Sequence, residues 1–287
     1  MSTPNRWLTA VTGLTLASGW IGAGVNTLLG IEHSMDSPGT LIWISTPLIA
    51  VIATRLAGGA RSSGGWRPHF RTAWRWYLFA AAAFPAVTVA SGILGHALGW
   101  GSLDGLRMPA LLGALGAALA GALLKNVFEE AVWRGYFTGE FLARRWSDPA
   151  IYLGGALVWG LWHLPYYLFF LPESDMRAIL DVPPWAFALS AIAVMIPWSV
   201  LYTEVYRASG TIWTVVLMHA VEDAFVNPLL LDAHLTLIPT RTWLISPVVG
   251  IIPGLAYLGI GLWLRHRRRA RALTSAGSGR SVAPTRS

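Results

Sequence analysis

Residues 108–128 read MPALLGALGAALAGALLKNVF. Wound as an α-helix at 1.5 Å per residue, this apolar run covers the roughly 30 Å hydrocarbon core of a bilayer. Seven more runs of the same kind flank it, at 7–29, 39–57, 74–98, 150–171, 185–206, 212–231 and 243–264. The chain is therefore expected to be all-α, a polytopic membrane protein of about eight transmembrane helices. Composition agrees. Hydrophobic residues make up 54% of the 287 and charged residues 12%, against about 25% charged in a typical soluble domain. That is too little charge to face water, so lipid is the outer solvent. The 16 Trp suit the membrane–water boundary. The absence of cysteine excludes disulfides, thiolate zinc sites and a cysteine nucleophile.

The connectors divide by charge. Arg55, Arg61, Arg67, Arg71 and Arg75 follow the second run, Arg144 and Arg145 the fourth, Arg207 the sixth, and Arg265, Arg267, Arg268, Arg269 and Arg271 the eighth. The alternate connectors hold Glu32, Asp36, Asp104, Glu173, Asp175, Asp181 and Asp232, with only Arg107, Arg177 and Arg241 among the bases. Basic connectors stay cytoplasmic, which predicts a multi-pass protein of the plasma membrane with both termini inside. Eight spans satisfy that parity and seven do not. The net charge of +7 is spread over connectors and tail, so membrane lipids rather than nucleic acid are the expected partners. The first run is expected to stay uncleaved, since its apolar stretch exceeds a typical signal peptide's. Residues 1–265 then form the transmembrane domain, and 266–287 a basic, disordered cytoplasmic tail that meets anionic lipid.

Ionisable side chains inside apolar runs are costly and mark functional positions by default. They gather in three places. The first is FEEAVWRG, residues 128–135, at the cytoplasmic end of the fourth run. On a helix Glu130 and Arg134 face each other four residues apart, while Glu129 is turned about 100° away and left without a partner. The free carboxylate suits general acid–base work. The second is WGLWHLP, residues 159–165. Trp159 sits one turn from His163, and Pro165 loosens the helix just beyond. The third is HAVEDAFVN, residues 219–227, where His219, Asp223 and Asn227 form a stripe at four-residue steps and Glu222 points elsewhere. His96 and Glu204 lack polar company at helical spacing, apart from Glu204 with Arg207.

Each cluster alone has a plain structural account, as a snorkelling ion pair or a helix–helix hydrogen bond. Three on three helices point to a polar intramembrane chamber where they converge on one water. Two chemistries follow. Glu129 and His163 polarise the water while His219 and Asp223 stabilise an oxyanion; or the histidines and a carboxylate hold Zn²⁺. The usual His-Glu-x-x-His signature is absent.

Glu129-Glu130-x-x-x-Arg134-Gly135, an aromatic four residues before His163, and His219-x-x-x-Asp223 resemble the three ordered motifs of the CPBP intramembrane proteases. That family includes type II CAAX prenyl endopeptidases and bacteriocin-processing or immunity proteins. The resemblance covers roughly residues 127–223. It implies an eight-helix core around a water-filled chamber, and an endopeptidase acting near the membrane on a peptide or protein that is membrane-anchored or lipidated. It gives Glu129 the role of general base, His163 that of its assistant, and His219 with Asp223 the oxyanion site. Glu130, Arg134, Trp159 and Asn227 support them. Two positions depart from the pattern. Trp159 stands where Phe is usual, which keeps the packing role. Asp223 stands where Asn is frequent, and an ionised Asp cannot donate to an oxyanion. The resemblance favours hydrolysis without a cofactor; a metalloprotease-like alternative would place Zn²⁺ on Glu129, His163 and His219. Two other functions stand beside it: a non-catalytic immunity or scaffold protein of the same fold, and a small transporter using the polar residues as a proton path.

Overall fold

The computed structural model describes residues 3–278. Nine helices carry the fold, labelled here α1 (Thr3–Leu29), α2 (Pro38–Leu56), α3 (Phe70–Ala97), α4 (Met108–Ala143), α5 (Asp148–Pro165), the short α6 (Glu173–Ile179), α7 (Pro184–Ser209), α8 (Ile212–Leu231) and α9 (Ile251–Ser278). Six of them, α1–α4, α7 and α8, are long and apolar enough to cross a bilayer. The protein is an all-α integral membrane protein, with six such helices where the sequence suggested eight spans. The fifth expected span is α5, extended by a π turn at Tyr166–Phe170. The eighth is α9, whose second half carries Arg265–Arg271 and is therefore less apolar.

Boundaries shift where local chemistry decides them. Residue 243 does not open the last helix. Trp243 lies in a single turn, Thr242–Ile245, and Ser246 is extended at ψ 124°. Ser246 precedes Pro247, whose ring disfavours a helical predecessor. The helix resumes only at Ile251. Its far end continues through the expected tail as far as Ser278; residues 279–287 lie outside the described residues. Gly101–Ser102 and Thr236–Leu237 form a two-stranded antiparallel pair joining two acidic connectors.

The fourth span departs most from expectation. It was expected to end at residue 128. Instead α4 runs on for 36 residues to Ala143, taking in a π turn at Trp133–Thr138. The first motif is therefore inside a helix. The helical rise puts Glu129 about 21 Å from Ala143 and His163 about 22 Å from Asp148. The two residues thus stand at similar distances from the basic end of the bundle.

Close packing of α1 on α2 depends on two glycines. A Cβ on Gly22 would collide with the carbonyl of Gly39, and one on Gly39 with that of Gly22. Small residues let membrane helices approach to backbone contact, and Asn26 closes the joint by accepting from Gly39 N (2.9 Å) and donating to Ser37 Oγ (2.8 Å). Gly22→Val should lower stability by about 1–3 kcal/mol, the usual cost of overpacking. Gly24→Val, where a Cβ meets open space, should cost less. Thermal unfolding of both variants in detergent checks this; equal losses would remove the glycine contact as the cause.

At the basic end, Asp148 at the start of α5 accepts from Arg207 (2.9 Å), Arg265 (2.8 Å), Arg268 (3.1 Å) and Arg269 (3.1 Å). Glu204 is less isolated than its spacing implied. It accepts from Arg268 (2.8 and 2.9 Å) and from the Tyr152 hydroxyl (2.6 Å), and Arg207 lies 3.7 Å away. These bonds fix α5, α7 and α9 to one another at the end opposite the acidic connectors.

Candidate active site

Each motif is followed or overlapped by a π turn: Trp133–Thr138, Tyr166–Phe170 and Glu222–Val226. An i→i+5 turn inserts a residue into the helical repeat and re-aims the side chains around it, which is why such turns gather at functional sites. The second has a local cause. Pro165 lacks an N–H and its ring presses on the preceding turn, which a wider turn relieves.

Glu129 is buried, but it is not unpartnered as expected: Lys125 stands four residues before it, at the same spacing that pairs Glu130 with Arg134. Lys125 Nζ lies 3.2 Å from Oε1, and Trp133 Nε1 donates to Oε2 at 3.2 Å. Lys125 is the one lysine of the chain. It also lies 3.0 Å from Asp223 Oδ2, which accepts from Asn126 Nδ2 at 2.6 Å. Lys125 and Asn126 thus tie α4 to α8 through Asp223.

Glu130 and Arg134 meet one turn apart, with Arg134 Nη1 donating to both carboxylate oxygens (2.8 and 3.0 Å). The guanidinium is sandwiched between the rings of Trp159 (4.2 Å) and Tyr202 (4.1 Å). Glu130 does more than pair with Arg134: its Oε1 lies 2.9 Å from His219 Nδ1. A carboxylate so held can only accept, so Nδ1 carries the proton and Nε2 faces away from Glu130. His163 is fixed in the same manner. Its Nδ1 lies 2.9 Å from the Trp159 carbonyl, and the ring stacks on Tyr167 with centroids 5.8 Å apart. Its Nε2 is then the free acceptor when the ring is neutral. The Trp159 ring lies 6.2 Å from His163 and 5.6 Å from His219, a wall shared by both imidazoles.

Glu129, His163, His219, Asp223 and Asn227 all line one cavity of about 470 Å³, the size of a small-ligand site. Trp159 and Trp198 line it as well, and Glu130 and Arg134 lie behind it. Its lining extends to Met35, Pro172, Asp175, Leu231 and Val249, all at the end of the bundle that carries the acidic connectors. Glu222 lines the cavity too, contrary to the expectation that it points elsewhere. Glu222 follows His219 by three residues, and i,i+3 residues are neighbours on a helix, so its place beside His219 fits the regular repeat. Lys125, Asn126 and Tyr167 also escaped the sequence reading. A lone cation in a long apolar run was the available signal for Lys125.

Among the described residues, the groups whose ligand atoms lie within 4.8 Å of one another are His219, Glu222 and Asp223. This differs from the set Glu129, His163 and His219 that the sequence offered for a metal.

Residues 109–225 match the family model described as type II CAAX prenyl endopeptidase Rce1-like. This segment, somewhat under half of the chain, is similar to that family. The matched segment runs from the start of α4 to the π turn of α8 and contains all three motifs, so the family likeness and the cavity fall on the same residues. The matching family is described as one of endopeptidases, which act on a peptide or protein. No curated protein matches this chain significantly.

Proposed function

We propose that the chain is an intramembrane endopeptidase that hydrolyses peptide bonds with a water activated by Glu129 and His163. The observation that carries this reading is the convergence of Glu129, His163, His219 and Asp223, from three helices, on one cavity. Glu129 takes the proton of the attacking water and delivers it to the leaving amine. His163 presents Nε2 to the same water, its Nδ1 being committed to the Trp159 carbonyl. His219, held by Glu130, turns Nε2 to the chamber and as an imidazolium donates to the oxyanion.

Asp223 accepts from Asn126 and Lys125 and so holds no proton for the oxyanion. We assign it to positioning Lys125, whose ammonium stands beside both Glu129 and Asp223 and supplies the positive donor instead. Lys125→Met should lower kcat about 10²–10³-fold, the cost of losing an oxyanion donor, with little change in KM. Lys125→Arg should recover part of the loss. Peptide cleavage in proteoliposomes reads both, and an unchanged kcat in Lys125→Met would remove the residue from the mechanism.

A zinc-based route fits these residues poorly. The carboxylate of Glu129 already meets an ammonium and an indole N–H, and Asp223 meets the same ammonium and an amide. A divalent cation would have to displace Lys125 against charge repulsion. Cleavage is therefore expected to survive prolonged chelation. Stoichiometric zinc lost together with activity would overturn the metal-free route.

The chamber lining reaches the acidic end of the bundle. If basic connectors stay cytoplasmic, the peptide enters from the opposite face of the plasma membrane or from the lipid beside it, as a membrane-anchored or lipidated chain would. Behind the chamber, the space bounded by Trp133, Arg134 and Trp159 is about 10 Å³. This favours a blind reaction chamber over a proton path. Cleavage of a peptide by the purified protein, lost in Glu129→Gln, tests the proposal.

A further inference from the structure

A second cavity, of about 330 Å³, lies at the basic end of the bundle, between α3, α7 and α9. Five arginines line it: Arg75, Arg207, Arg267, Arg268 and Arg271. No acidic side chain does. Its remaining wall is apolar and aromatic, from Trp76, Phe79, Trp263 and Leu264. Trp263 is 50% exposed on the outer surface of the bundle, so the cavity borders lipid.

The arginines fall into two groups. Arg207 and Arg268 are neutralised by Asp148 and Glu204. Arg75 and Arg267 instead lie over indole rings, at 5.1 Å from Trp74 and 4.9 Å from Trp263. Neither they nor Arg271 pair with a carboxylate among the described residues. Gathering surplus cations in one concavity costs Coulomb energy unless an anion joins them. Guanidinium groups favour phosphate, which they bind through paired N–H donors. The aromatic wall adds a surface for hydrocarbon, and the cavity sits at the end of membrane-spanning helices, where headgroups lie. Basic pockets between spanning helices on the cytoplasmic side bind anionic headgroups.

We propose that this cavity binds the phosphate of one anionic phospholipid, with its acyl chain running along Trp263 and Phe79. The site is separate from the chamber, and its occupation does not depend on the protease reading. Because Arg268 lines the cavity and also anchors Asp148 and Glu204, a bound lipid reinforces the joint that fixes α5, the helix carrying His163.

The test uses the full chain, purified and delipidated, with lipid binding read by native mass spectrometry and by melting temperature. Phosphatidylglycerol should bind with one tight site and raise the melting temperature, and phosphatidylcholine should do neither. Binding should weaken as salt rises, since the attraction is screened. The variant Arg75→Gln/Arg267→Gln/Arg271→Gln leaves the arginines bonded to Asp148 and Glu204 in place. It should weaken phosphatidylglycerol at least ~10-fold, one decade being about 1.4 kcal/mol. The matching triple Arg→Lys variant should keep most of the binding. Millimolar inorganic phosphate should not displace the lipid. Equal retention of the two lipids, wild-type binding by the Gln variant, or protection by inorganic phosphate alone would each overturn the proposal. If the Gln variant fails to fold, the lipid preference and salt dependence of the wild-type protein still decide it.

Discussion

Arg134→Met should be the most destabilising single substitution in the site, costing about 3–5 kcal/mol, the range for breaking a buried ion pair from one side. Glu130 and Arg134 are both buried, at 0% and 2% exposure. Arg134 satisfies both oxygens of Glu130 and is itself clamped between Trp159 and Tyr202. Without it, the Glu130 carboxylate keeps only His219 as a partner among the described residues. The double variant Glu130→Leu/Arg134→Met removes both charges and should recover much of that stability. It should not recover activity, because His219 then has no acceptor at Nδ1. Unfolding in detergent and peptide turnover, measured on the same preparations, separate the two roles. A double variant as unstable as Arg134→Met would show that ring packing, not charge, holds this layer together.

The second large effect is on chemistry. Glu129→Gln should lower kcat by about 10²–10⁴-fold or more, the usual contribution of general acid–base catalysis, while the protein still folds. Glutamine has the shape of the carboxylate, and its carbonyl still accepts from Trp133 Nε1. It cannot take a proton from water. Lys125 keeps Asp223 as a partner in the variant, so no buried cation is stranded. Stability should therefore change little, in contrast to Arg134→Met. A variant that loses activity only in proportion to lost folded protein would make Glu129 a structural residue.

Much of the fold could be read because lipid imposes simple demands. Long apolar runs must be helices, and charged groups within them need partners. Pairs four residues apart inside regular helix, Glu130 with Arg134 and Trp159 with His163, are found in contact. The expectation that Glu222 points elsewhere failed: it lines the chamber three residues after His219, a spacing that makes helical neighbours. Lys125 was legible from its i,i+4 spacing to Glu129, but it drew no expectation. The continuation of α4 to Ala143 shows that it lies mid-helix beside two carboxylates. The late start of α9 was legible in principle from Pro247, but the apolar run from 243 outweighed it.

On the proposed mechanism Glu129 drives peptide cleavage. The most direct measurement compares new peptide termini, by mass spectrometry, in membranes of cells carrying the wild-type chain or Glu129→Gln at equal expression. Termini present with the wild type and lost with the variant, in proteins exposed at the membrane, are the predicted result. Identical terminus profiles, with both proteins folded and any cellular role intact, would contradict it and leave a non-catalytic membrane protein of the same fold.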